Sequence, residues 1–115
     1  MPDTFSIVEE VRGHTMLLRV RGRLDARSAP SLLETASRVR NRGMNLVLDL
    51  SGVAFMASSG LGSLLSLAEE FRQSGSRVRL ASPSPAVDSV IRLLNLHSFL
   101  TIDASEEEAL HAMGA

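Results

Sequence analysis

The six residues "NLVLDL", 45 to 50, constrain this chain more than any other stretch. They form a near-continuous apolar run of strand length, the pattern of a strand buried on both faces at the centre of a sheet. Such a strand needs apolar cover above and below, and the flanking sequence supplies it at helical spacing. In "SAPSLLETASRVRNRG", Ala29, Leu32, Leu33, Ala36 and Val39 recur as a stripe, Pro30 falls in the first turn, and Gly43 follows a basic last turn. Leu61, Leu64, Leu65 and Ala68 then mark a second helix at i, i+3, i+4 and i+7, ending near "QSG".

The remaining elements follow by the same rules. "TFSIVEEV" and "TMLLRVRG" are short strand-like runs about "RGH", which predicts an antiparallel hairpin with a tight turn. "RVRLA" alternates as a strand. Ser84 and Pro85 read as an N-cap and first helical residue ahead of Val87, Val90, Ile91 and Leu94. "SFLTI" predicts a last strand, and Ser105 with Glu108 has the capping-box spacing ahead of Ala109, Leu110 and Met113. The predicted order is β-β-α-β-α-β-α-β-α, an α/β fold whose mixed, mainly parallel sheet is flanked by helices. Asp49 is expected on the less buried face of its strand, with no assigned role.

With 115 residues, 44% of them hydrophobic, and no repeat or linker, one domain spanning residues 1–115 is expected. The absence of cysteine excludes a disulfide framework, a thiolate metal site and a cysteine nucleophile. All basic residues are arginine and are interspersed with a similar number of acids, so no stripe for direct nucleic-acid binding emerges. Acidic residues precede any long apolar run, and no stretch reaches the roughly 18 apolar residues of a membrane span. A cytoplasmic location without membrane insertion is expected.

"FMASSGLGSLL", residues 55–65, sits where the central strand leads into a helix, the edge at which open α/β sheets meet ligands and partners. With Ser58 at about the N-cap, the backbone N–H groups of Ser59, Gly60 and Leu61 carry the positive end of the helix dipole. Such a place accepts an anion: the phosphate of a nucleotide, or one placed covalently on a serine. It equally suits a plain cap, which contributes about 1 kcal/mol. Gly60 and Gly62 keep the surface low enough for another backbone to approach. "GLGSLL" lacks the third glycine of the dinucleotide fingerprint, and the chain has no lysine for a P-loop. There is no G-x-S-x-G elbow, and no motif pairs His14, His97 or His111 with Ser58, so hydrolysis is not indicated.

Several segments, taken in order, resemble one family. They are Gly22, Leu24 and Asp25 in "GRLD", "LDLSGV" at 48–53, "SSGLG" at 58–62, and "SPAV" before the third helix. Together the chain resembles the STAS domain family, specifically the free-standing bacterial anti-sigma factor antagonists, over nearly its whole length. The resemblance implies a sheet flanked by helices, no cofactor, no metal and no catalysis by the domain itself. It implies a partner, an anti-sigma factor with an ATP-binding serine kinase fold, whose capture releases a sigma factor. Ser58 matches the family's phosphoacceptor, and a serine phosphatase acts on the phosphorylated form. Asp25 matches a loop aspartate near the partner surface, and Ser58, Ser59, Gly60, Leu61 and Gly62 match the contact segment, with Leu61 shared between contact and core.

One position departs from the pattern. Members of the family usually carry Asp immediately before the phosphoserine, where this chain has Ala57. Alanine cannot cap the helix or orient the serine through its side chain. Two consequences stand open: slow or absent phosphorylation and a constitutive antagonist, or relief of repulsion on the phosphoserine. The rival readings are a STAS regulatory or structural subunit of a membrane transport or signalling assembly, and a nucleotide-binding domain using Ser59 to Gly62.

Overall fold

The structure, a computed structural model, describes residues 4–115. Its strands are β1 (Ser6–Arg12), β2 (Thr15–Leu24), β3 (Asn45–Met56), β4 (Val78–Ala81) and β5 (Ile102–Asp103). They form one sheet of order β1-β2-β3-β4-β5, with β1 antiparallel to β2 and the other neighbours parallel. The helices are α1 (Ala29–Asn41), α2 (Ser58–Ser74), α3 (Pro85–Leu93) and α4 (Glu106–Ala112). The expected element order and the central place of 45–50 both hold.

The doubly buried run divides its side chains between two cores. Leu46, Leu48 and Leu50 join Leu32, Ala36, Leu64, Leu67, Phe71, Val87 and Ile91 from α1, α2 and α3 in the main cluster. Val47 points the other way, into a smaller cluster with Leu17, Ala81, Ala109, Leu110 and Met113, so α4 and the residue after it give the second face its apolar cover. Alternation along the strand, period two, is what feeds both layers.

Four expectations are corrected. First, β3 does not stop at Leu50 but continues through "SGVAFM", because β2 is long enough to pair with it as far as Leu24 with Met56. Register shifts between Arg19 and Arg21 and between Gly22 and Arg23 bend this extension, a β-bulge arrangement that re-aims the strand ends. Gly22 sits in the left-handed region at φ 96°, and a Cβ there would meet the backbone of Thr4 and Phe5. Second, of "SFLTI" only its last residue is in a strand, β5 being Ile102–Asp103; Leu96–Ser98 is a short 3-10 turn reached through Asn95 at φ 54°. β4 has only four residues, and β5 pairs only with Leu80 and Ala81.

Third, the less buried face of β3, the side of Val47 and Asp49, is itself covered, so that Asp49 is buried beneath α4. Its carboxylate accepts the Ser51 N–H at 2.8 Å and lies beside Glu106, which Arg19 grips through Nε at 2.8 Å and Nη2 at 3.0 Å. Arg19 also donates to Glu10 of β1 at 2.9 Å. The Arg19 guanidinium, then the Asp49 carboxyl, holds Glu106 down at about 2. Burial, then the Glu106 carboxylate, pushes Asp49 up. This network joins β1, β2, β3 and α4, and the Ser105 cap on the Glu108 N–H at 3.1 Å starts the helix it anchors. The fourth correction concerns the start of α2 and belongs to the site.

Candidate functional site

The site is built where β2 and β3 end side by side. Leu24 pairs with Met56, and the Leu24 carbonyl then accepts the Ala57 N–H at 2.9 Å, locking the junction between β3 and α2 to the end of β2. Ala57, not Ser58, is the N-cap: its backbone is extended, at φ −83° and ψ 170°, and its carbonyl accepts the first helical bond, from Leu61 N–H at 3.0 Å. The register is therefore one residue earlier than expected. By position the N–H groups without a helical acceptor are those of Ser58, Ser59 and Gly60, while that of Leu61, expected to be free, is satisfied. With alanine at the cap, no side chain accepts from the first turn.

The six positions expected in a partner contact separate by burial. Ser58, Ser59 and Gly62 are exposed on the first turn of α2, and Asp25 is partly exposed. Gly60 and Leu61 are buried, Leu61 as a member of the main core. Gly60 is tight against the chain's own backbone: a Cβ there would press on the Leu24 carbonyl oxygen, with Leu24 Cγ at 2.8 Å. Its lack of a side chain thus lets α2 seat on β2, whereas a Cβ at Gly62 would meet nothing. The Ser63 hydroxyl donates to the Gly60 carbonyl at 2.6 Å, a further tie within the buried side of that turn.

Asp25 shapes the neighbouring turn. Its carboxylate accepts the N–H groups of Arg27 at 3.0 Å and Ser28 at 3.3 Å, and its own N–H donates to the Ser28 hydroxyl at 2.9 Å. That hydroxyl in turn donates to the Arg23 carbonyl at 2.6 Å. The Arg27 N–H above all, with those of Ser28 and the Arg23 charge, holds the Asp25 carboxyl below the usual carboxylate range. Asp25 is thus both a partly exposed carboxylate beside α2 and the device that starts α1. Arg23, Asp25, Arg27, Ser28, Ser31 and Phe5 line an open cavity of about 340 Å³ next to it.

Two residues here escaped sequence reasoning. Arg23 lies with its guanidinium carbon 4.1 Å from the centroid of the Phe55 ring, a cation–π stack, and Phe55 is itself partly exposed. The signal was present in the G-x-L-D segment only as its variable position, and the strand extension that brings Phe55 alongside was not legible. The histidines stay apart: His14 lies at the other end of β2 with its ring Nε2 2.9 Å from the Gly43 carbonyl, and His97 and His111 are exposed on the 3-10 turn and α4. Among the described residues no group of three His, Cys, Asp or Glu is placed to hold a metal, and no helix is long and apolar enough to cross a membrane.

The sequence model of the STAS domain matches residues 6–109. The chain belongs to the STAS domain family. Among its STAS relatives, the anti-sigma F factor antagonist of Lysinibacillus sphaericus is 30% identical over 105 residues, covering 90% of this chain and 89% of that one. The crystal structure of an anti-sigma factor antagonist from Mycobacterium paratuberculosis matches with a TM-score of 0.88 at 26% identity, over 100% of this chain and 98% of the other. The Bacillus cell fate determinant SpoIIAA in its phosphorylated form matches with a TM-score of 0.72 at 27% identity, over 96% and 99% of the two chains. The five-stranded mixed sheet and its four helices are thus the STAS fold of anti-sigma factor antagonists.

Proposed function

We propose that this chain is an anti-sigma factor antagonist, one STAS domain over residues 1–115. In this reading it binds an anti-sigma factor with a serine kinase fold in the cytoplasm, and phosphorylation of Ser58 ends the binding. The observation that carries the proposal is the placement of Ser58: exposed, first residue of α2, on a turn whose position Gly60 and the Leu24 carbonyl fix. The antagonist names of the relatives, one of them solved in a phosphorylated form, support it.

The switch has a simple physical form. The Ser58 hydroxyl oxygen attacks the γ-phosphorus of the ATP held by the partner; the bond to the β–γ bridging oxygen breaks, ADP leaves and the hydroxyl proton is released. ATP and its metal belong to the partner, so the chain is substrate and ligand rather than enzyme. A charge of about −1.5 to −2 then stands in the middle of a contact that had enclosed a neutral hydroxyl, and its desolvation opposes rebinding. A phosphatase restores the hydroxyl by transferring the phosphoryl group to water.

The test is incubation with candidate anti-sigma kinases, chosen from any encoded beside the gene, with Mg-ATP, followed by intact mass. One phosphate is expected on the wild type and on Ser59→Ala, and none on Ser58→Ala. Ala57→Asp reads the effect of the absent carboxylate on the rate. Tight kinase binding without mass gain makes the chain a phosphorylation-independent antagonist. No binding at all overturns the proposal in favour of a regulatory subunit of a membrane transport or signalling assembly.

A further inference from the structure

We propose that Arg23 is the receiver of the Ser58 phosphate, so that phosphorylation moves Arg23 off Phe55 and reshapes the surface beside α2. This rests on Ser58 being the modified residue. The placement follows from the strand register. Arg23 is the β2 partner of Phe55, Leu24 is the partner of Met56, and the Leu24 carbonyl holds the Ala57 N–H. Ser58 is the next residue along, three positions beyond the Phe55 on which Arg23 stacks.

The charges of this corner suit a dianion. Neither α1 nor α2 has an acidic residue in its first turn, and Ala57 adds none. Arg23 and Arg27 line the same cavity as Asp25, whose carboxylate is already engaged by the N–H groups of Arg27 and Ser28. Its ion pair with Arg23 is long, at 3.7 Å, and the Arg23 side chain is 44% exposed. Arg23 is therefore held by two weak partners, a distant carboxylate and the face of a half-exposed ring. A phosphate offers a guanidinium two parallel charge-assisted hydrogen bonds, which neither present partner supplies. Relocation also bares the Phe55 ring, so the modified protein differs from the unmodified one in shape as well as charge.

The test installs phosphoserine at position 58 by genetic encoding, without any kinase, and follows the phosphate by phosphorus NMR across its second ionisation. A nearby cation favours the dianion, so the wild type should titrate about half a pH unit or more below Arg23→Gln, the difference shrinking in high salt. Arg23→Lys, with a charge but no fork, should fall between them. The Phe55 ring resonances should shift on phosphorylation in the wild type and not in Arg23→Gln. Equal titration of wild type and Arg23→Gln overturns the assignment, as does a rise seen only with Arg27→Gln. Because the phosphate is installed directly, a failure of kinase modification would sink the proposed function and leave this result readable. Kinase modification with an unchanged titration would sink only Arg23.

Discussion

Replacing Gly60 by alanine should destabilise the protein, while the same change two residues on, at Gly62, should stabilise it. A methyl at Gly60 lands on the Leu24 carbonyl oxygen, with Leu24 Cγ at 2.8 Å and the carbonyl carbon at 3.0 Å. These are largely backbone atoms of a buried strand end, so relief requires α2 to lift from β2, not a side chain to rotate. Overpacking of this kind costs about 1–3 kcal/mol. Lifting the turn also weakens the Ala57 to Leu24 hydrogen bond at 2.9 Å, a loss of about 1 kcal/mol. Against this stands a helix-propensity gain of about 1 kcal/mol for alanine over glycine. The net loss is about 1–3 kcal/mol, a melting point lower by roughly 4–12 °C for a domain of this size. At Gly62 a Cβ meets nothing, so only the propensity gain remains, and the melting point should rise by about 4 °C. Urea and thermal denaturation of both variants check this. A Gly60→Ala protein as stable as Gly62→Ala would refute the claim that the turn carrying Ser58 is positioned by contact with Leu24.

Asp49→Asn should stabilise the protein at neutral pH, and the gain should vanish in acid. The folded-state carboxyl of Asp49 is raised above its unfolded value, so its contribution is full below about 3.8 and is lost as pH rises through the folded value. Glu106, drawn down to about 2, has the opposite sign: its stabilisation is present above 4.5 and lost as pH falls toward 2. Urea denaturation of wild type and Asp49→Asn at pH 7 and pH 3.5 separates the two. Asp25→Ala should destabilise the protein by leaving the Arg27 and Ser28 N–H groups without their acceptor, whereas Asp25→Asn should recover most of the loss. Denaturation of each, set beside partner affinity, distinguishes the turn-forming role from a direct contact.

Periodicity carried most of the fold because every helix packs through a stripe that its own sequence displays, and the 45–50 run displays both its buried faces. What stayed hidden depends on partners distant in sequence. The extension of β3 to Met56 exists because β2 continues alongside it, and "SFLTI" reaches the sheet only at Ile102, opposite Leu80. The burial of Asp49 depends on Glu106 and Arg19, which no local pattern links to it. At the site, Ser58 and its neighbours were legible as a helix start, but the register moved by one because the N-cap is an alanine, a residue with no capping side chain to read. That Gly60 serves seating on β2, and Gly62 does not, is likewise a matter of what lies opposite each.

The most direct test of the central claim is calorimetric titration of the anti-sigma kinase with this protein, unmodified and phosphorylated at Ser58, at one salt concentration without ATP. The account predicts micromolar or tighter binding of the unmodified form, and binding about 100-fold weaker or more, a difference of roughly 2.7 kcal/mol, once the phosphate is in place. Equal affinity of the two forms would contradict it.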